Sequence, residues 1–222
     1  MGCSSYTAPI VSREQPPSEV IKTHLVEKGD TLYSVAWRYD SSVEILARVN
    51  GLGYPYILKQ GQILSLDTAG VKISKSLQAD RIPNKTASKH SGTSVSAASV
   101  AKVSAKNLPW QLPVKGKVVE SYNPKDLRKG IIFAATSDFS VRPAAKGVVV
   151  YAGDGLRDYG KLVIIKHSGY LLSAYGYNQQ LLVSEGQVVD NGDIISKLGS
   201  NGRLYFEIRK DGKPVNPMSY LD

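Results

Sequence analysis

Residues 147–183 read GVVVYAGDGLRDYGKLVIIKHSGYLLSAYGYNQQLLV, and this stretch decides the fold of the larger part of the chain. Three aliphatic runs, at 147–152, 162–167 and 170–175, are separated by glycine-containing turns. Short β-branched runs at such spacing predict an antiparallel sandwich or barrel. The pattern continues downstream at 180–183, 193–196 and 203–209, with Gly186-Gln187 and Asn191-Gly192 turning the chain between strands. Almost no helical periodicity interrupts it. Residues 109–222 therefore read as one all-β domain, sandwich-like or barrel-like.

Upstream the pattern changes. In residues 23–67, His24-Leu25-Val26 has strand character and Gly29-Asp30-Thr31 offers a turn with helix-capping side chains. Leu32, Val35, Ala36 and Tyr39 recur on one helical face. Ser41 with Glu44 predicts a capping box for a second helix, whose apolar face is Ile45, Leu46 and Val49 and whose end is Asn50-Gly51. Gly61-Gln62 then turns into a strand at 63–66. The order is strand, helix, helix, strand, a small βααβ domain.

The whole chain has 222 residues, 42% apolar and 21% charged, with a formal charge of +9. That composition excludes wholesale disorder, and no apolar run is long enough to cross a bilayer. Much of the positive excess falls in 68–108, which has seven basic residues, one acidic residue and no aromatic. It reads as a flexible, disordered basic linker joining the two domains. Such a tether is either simply solvated or drawn to an anionic polymer or membrane surface. Nucleic acid is a poor partner for it, because no aromatic platform is interleaved with the charge. The single cysteine, Cys3, excludes an internal disulfide, and histidine occurs only at 24, 90 and 167.

The 23–67 segment resembles a LysM domain. The matching residues are Val26-x-x-Gly29-Asp30-Thr31-Leu32, Ala36, Leu46-x-x-x-Asn50 and Leu58-x-x-Gly61-Gln62-x-Leu64. The resemblance implies binding of N-acetylglucosamine polymers, in bacteria chiefly peptidoglycan. The groove would lie between Gly29, Asp30, Thr31 and Leu32 on one side and Tyr54, Tyr56, Ile57 and Leu58 on the other. Tyr54 and Tyr56 would either cover a sugar face or complete a small core; Trp37 is expected to pack.

The 109–222 segment resembles the LytM, or lysostaphin-type, metallopeptidase domain. Pro113-Val-x-Gly116-x-Val118, Gly147-x-Val149-x-Tyr151, Gly160-x-x-Val163-x-Ile165-x-His167 and Phe206-Glu207-Ile208-Arg209 carry the likeness, and Gly212-Lys213-Pro214-Val215-x-Pro217 closes it. Active members hold zinc through His-x-x-x-Asp and the second histidine of His-x-His. Here the first motif falls on Arg128 through Ile132, the second on Arg203-Leu204-Tyr205, and Tyr177 replaces a further catalytic histidine. Isoleucine has no lone pair, and arginine donates hydrogen bonds without accepting them. Zinc needs imidazole, carboxylate or thiolate ligands, so the expectation is no metal, no cofactor and no peptidase activity. His167 matches a framework position and is expected to be structural.

Arg128, Ile132, Tyr177, Arg203 and Tyr205 are then expected on the floor of an empty groove, with Leu156, Arg157 and Tyr159 on its rim. They either form a protein-binding surface or merely fill a vacated site. Cys3, in Met1-Gly2-Cys3-Ser4, resembles the acylated start of a mature bacterial lipoprotein, making 1–22 a spacer from a membrane lipid anchor. With both domains it gives the arrangement of NlpD-type lipoproteins, on the periplasmic face of the Gram-negative outer membrane, at the septum. That resemblance implies a non-enzymatic activator of an N-acetylmuramoyl-L-alanine amidase in septal peptidoglycan splitting. The alternative is a structural peptidoglycan-binding envelope lipoprotein with no regulatory role.

Overall fold

The computed structural model describes residues 21–69, 71, 108–167 and 169–221. Cys3 and nearly all of the 1–22 and 68–108 segments lie outside the described residues.

The small domain is βααβ, as its sequence predicts. Strand β1 (Thr23–Leu25) pairs antiparallel with β2 (Ile63–Ser65), and helices α1 (Leu32–Arg38) and α2 (Val43–Val49) lie between them in the chain. The capping box is on α1 and not on α2. Thr31 Oγ1 accepts from Ser34 N at 3.1 Å, and Ser34 Oγ accepts from Thr31 N at 3.0 Å. The cap of α2 is Ser42, which makes no side-chain bond to the helix backbone; its hydroxyl goes to Glu44 at 2.8 Å. Asn50 ties the end of α2 to β2. Its amide donates to Leu46 O at 2.8 Å and Ser65 O at 2.9 Å, and its carbonyl accepts from Ser65 N at 2.7 Å.

The large domain is one ten-stranded antiparallel sheet. Its strands are β3 (Gly116–Glu120), β4 (Ile131–Ala135), β5 (Ser140–Val141), β6 (Gly147–Gly153), β7 (Lys161–Lys166), β8 (Leu171–Leu181), β9 (Val188–Val189), β10 (Ser196–Leu198), β11 (Arg203–Lys210) and β12 (Lys213–Val215). The main path runs β3-β4-β11-β8-β7-β6-β9, with β10 bridging β5 and β8, and β12 beside β11. Among the described residues of this domain the only helical pieces are single 3-10 turns. The runs read as separate strands at 170–175 and 180–183 are largely one strand, β8, which passes straight through Gly176 and Tyr177. Strand β10 starts where the run read at 193–196 ends. Close strand approach is why Gly116 has no side chain: a Cβ there would lie 2.2 Å from the Ala134 carbonyl oxygen.

Side chains alternate across the sheet. On one face Leu204, Phe206 and Ile208 of β11 join Ile131, Phe133, Val163, Ile165 and Tyr175 in the main core. Arg203, Tyr205, Glu207 and Arg209 of β11 point to the other face. There Leu162, Ile164, Leu172 and Ala174 share a second apolar cluster with Leu32, Val35, Ala36 and Trp37 of α1. The small domain is seated on the sheet.

Candidate functional site

The groove floor is built where β4, β11 and β8 lie side by side. Tyr205 is opposite Ile132 on one side and Gly176 on the other. Its ring lies 5.7 Å from that of Tyr177 and 5.2 Å from that of Tyr159, which comes from the 3-10 turn Arg157–Tyr159. Tyr177 has φ 65°, the left-handed region that costs a side-chain-bearing residue about 1 kcal/mol, and the residue is 39% exposed. Gly130 lets the Tyr205 ring lie close, since a Cβ would meet its Cζ at 2.8 Å.

Ile132, Tyr177, Arg203 and Tyr205 thus share one sheet face. Arg203 is ion-paired with Glu120 of β3. Arg128 belongs to the turn preceding β4, turns outward and pairs with Asp126 at 2.8 Å. Both arginines therefore already hold a carboxylate, and the floor is less cationic than its sequence suggests. On the rim Arg157 is exposed, Tyr159 is half-buried over Tyr205, and Leu156 is buried in the second apolar cluster. Tyr151 Oη accepts from Gly155 N at 2.9 Å and anchors the loop from below.

Sequence reasoning missed the carboxylate beneath this floor. Glu207 is fully buried, accepts from the Tyr205 hydroxyl and accepts from Arg209 Nε at 2.6 Å. Burial raises the Glu207 carboxyl above its usual range, against the lowering pull of Arg209. Burial, followed by the charge of Glu207, raises Tyr205, and burial pushes Tyr159 up to about 12. Each tyrosine is therefore a neutral hydroxyl at any physiological pH. The alternation of Arg203, Tyr205, Glu207 and Arg209 along one strand was the signal that would have placed them together.

The donor set does not fit a metal. Ile132, Arg128, Arg203, Tyr177 and Tyr205 offer no imidazole, carboxylate or thiolate, the ligands zinc takes. Among the described residues no three of His, Cys, Asp and Glu come together as a metal site. His167 is in the main core, 2% exposed, with Nδ1 donating to Lys146 O at 2.9 Å and Nε2 2.7 Å from Ser173 Oγ. Burial lowers it to about 4, so it is a neutral structural ring.

The glycan-binding candidates in the small domain line two loops. Gly29, Tyr54 and Ile57 are exposed, Asp30, Thr31, Tyr56 and Leu58 are half-buried, and Leu32 is buried. Tyr54 and Tyr56 meet edge to face at 5.7 Å, and Tyr56 meets Tyr33 at 6.2 Å. Asp30 Oδ2 lies 2.8 Å from His24 Nε2 and accepts from Glu27 N at 2.9 Å, which fixes the first loop.

Two family models match: the LysM domain over residues 24–67 and peptidase family M23 over residues 126–217. Fold and site together define the class, a LysM module joined to an M23-type domain in which no cluster of metal-ligating side chains is found among the described residues. The "Lipoprotein NlpD/LppB homolog" of Pseudomonas aeruginosa is 35% identical, over 97% of this chain and 81% of that protein. The "Murein hydrolase activator NlpD" of Salmonella dublin is 35% identical over 90% and 68%. The "Outer membrane antigenic lipoprotein B" of Haemophilus influenzae is 32% identical over 96% and 67%. This chain belongs to the NlpD/LppB lipoprotein family.

Proposed function

We propose that this protein is a non-enzymatic activator of an N-acetylmuramoyl-L-alanine amidase in septal peptidoglycan splitting. The LysM domain holds the glycan, and the metal-free groove receives the amidase. One observation carries the reading: among the described residues no three of His, Cys, Asp and Glu come together to hold a metal, while the sheet of the peptidase-type domain stays whole. Tyrosine and arginine are among the residue types that dominate protein-binding energetics. The name of the Salmonella relative, a murein hydrolase activator, supports the same role.

Activation is then a population shift. The groove must bind the amidase's open form better than its closed one, and each tenfold preference corresponds to about 1.4 kcal/mol. Cys3 carries the lipid anchor in this reading, placing the protein at the periplasmic face of the outer membrane, near the septum.

The test is release of dye from labelled sacculi by a cognate amidase, with and without the purified chain. Stimulation is expected, with no release by the chain alone. Arg203→Glu faces Glu120 with a like charge and is expected to cut stimulation about tenfold, roughly 1.4 kcal/mol of binding, while sacculus binding persists. Absent stimulation of an amidase known to be competent overturns the activator role and leaves the structural-lipoprotein reading.

A further inference from the structure

The LysM domain is fastened to the sheet face that bears the groove, through groups that bear on both functions. Arg209 is at the centre. It is 1% exposed, its guanidinium lies 3.8 Å from the Trp37 ring centroid, and its Nη1 donates to Trp37 O at 2.8 Å. Its Nη2 stands 3.0 Å from Asp40 Oδ1, and Lys129 and Lys213 reach the same Asp40. Gly212 abuts Ser41 so closely that a Cβ would lie 2.5 Å from the Ser41 carbonyl oxygen.

This clamp reaches the groove by two routes. Tyr205, Glu207 and Arg209 form a hydrogen-bonded line from the floor to Trp37. The rings of Trp37, Tyr159 and Tyr205 form an aromatic row, at 6.4 Å and then 5.2 Å. Arg38 also donates to Gly155 O at 3.0 Å, so the LysM helix holds the rim loop at both ends. Meanwhile the first glycan-binding loop is engaged: Thr31 Oγ1 donates to Val150 O at 3.3 Å, and Lys166 Nζ lies 5.9 Å over the ring of Tyr33, which is the neighbour of Tyr56.

We propose that the LysM domain is the groove's own regulator: docked, it pins the rim over Tyr205, and glycan chains release it by competing for the Thr31 edge. The inference rests on the LysM half of the function proposed above. Docking and glycan binding are then linked, so the docked population weakens glycan affinity by the fraction of chains that are open.

The full chain and chitohexaose, an N-acetylglucosamine oligomer, provide the test. Two variants open the interface differently. Asp40→Lys removes the carboxylate shared by Arg209 and Lys129 and sets a third cation against those two. Gly212→Asn keeps a residue tolerant of the left-handed φ of 76° but drives its Cβ into Ser41. Saturating chitohexaose is expected to raise the wild-type radius of gyration in X-ray scattering and to speed deuterium uptake across residues 153–160. Both variants are expected to show these changes without ligand and to bind chitohexaose about tenfold tighter, as when roughly one chain in ten is open. Chitohexaose binding with unchanged scattering and equal affinity in wild type and variants overturns the proposal, as does failure of all three to bind it. Amidase stimulation in the same samples bears separately on the activator role: opening without stimulation contradicts that role and leaves the switch intact.

Discussion

Single residues decide the chemistry of this molecule. The positions where the resemblance puts metal ligands carry Arg128, Ile132 and Tyr205: isoleucine removes a lone pair, and arginine there, like Arg203 beside it, adds a permanent donor. Equilibrium dialysis against zinc is therefore expected to leave no ion bound at the groove; one ion per chain, lost on Tyr205→Phe, would contradict the donor argument. His167 makes a second prediction. Its native value of about 4 lies below the ordinary 6.5, so between these values the unfolded chain binds a proton that the folded chain refuses. Stability from this residue is complete above pH 6.5 and falls as pH drops toward 4, by on the order of 3 kcal/mol. Denaturant midpoints at pH 7 and pH 4.5 are expected to differ less in His167→Gln than in wild type; an equal midpoint difference in both would refute it. The ligand losses and the buried role of His167 were legible in the sequence, because each rests on one residue's identity at a framework position. The carboxylate partner of Arg203 was not. Glu120 is distant from Arg203 in the chain, and only strand register brings them together.

Elements were legible where they carry a strong period. Helices α1 and α2 and strands β6, β7 and β11 follow from apolar spacing alone. Strands β3, β4, β5, β9 and β12 did not: β3, β5, β9 and β12 lie at edges or across turns with too few residues for alternation to register, and β4, Ile131–Ala135, is an apolar run without alternation. The sequence shows β8 as two runs because the aliphatic pattern lapses over residues 176–179, yet the chain continues extended on both sides of Tyr177. The capping box was assigned to the wrong helix because Ser34, one turn into α1, does the work glutamate does in the usual pattern. At this scale Asn50 is the joint of the small domain, with three hydrogen bonds joining α2 to β2. Asn50→Ala is expected to cost about 2–3 kcal/mol, at roughly 1 kcal/mol per bond. It should lower the LysM thermal transition while leaving the β-domain transition in place. A loss under about 0.5 kcal/mol, the level of an ordinary surface substitution, would contradict this account of the joint.

At the scale of the whole molecule, one sheet serves two purposes. Its inner face makes the main core, and its outer face divides between the groove and the seat of the LysM domain. Nothing in the linear sequence announces that seat, since Trp37 and Arg209 are 172 residues apart and each has an ordinary local role. The central claim is that a groove built for a metal has become a surface for a protein. Calorimetric titration of the full chain with its cognate amidase, in the presence of chitohexaose, tests this most directly. A one-to-one complex is predicted, weakened about tenfold by Arg203→Glu and again by Tyr177→Ala, roughly 1.4 kcal/mol each. No complex, or one indifferent to both substitutions, would contradict it.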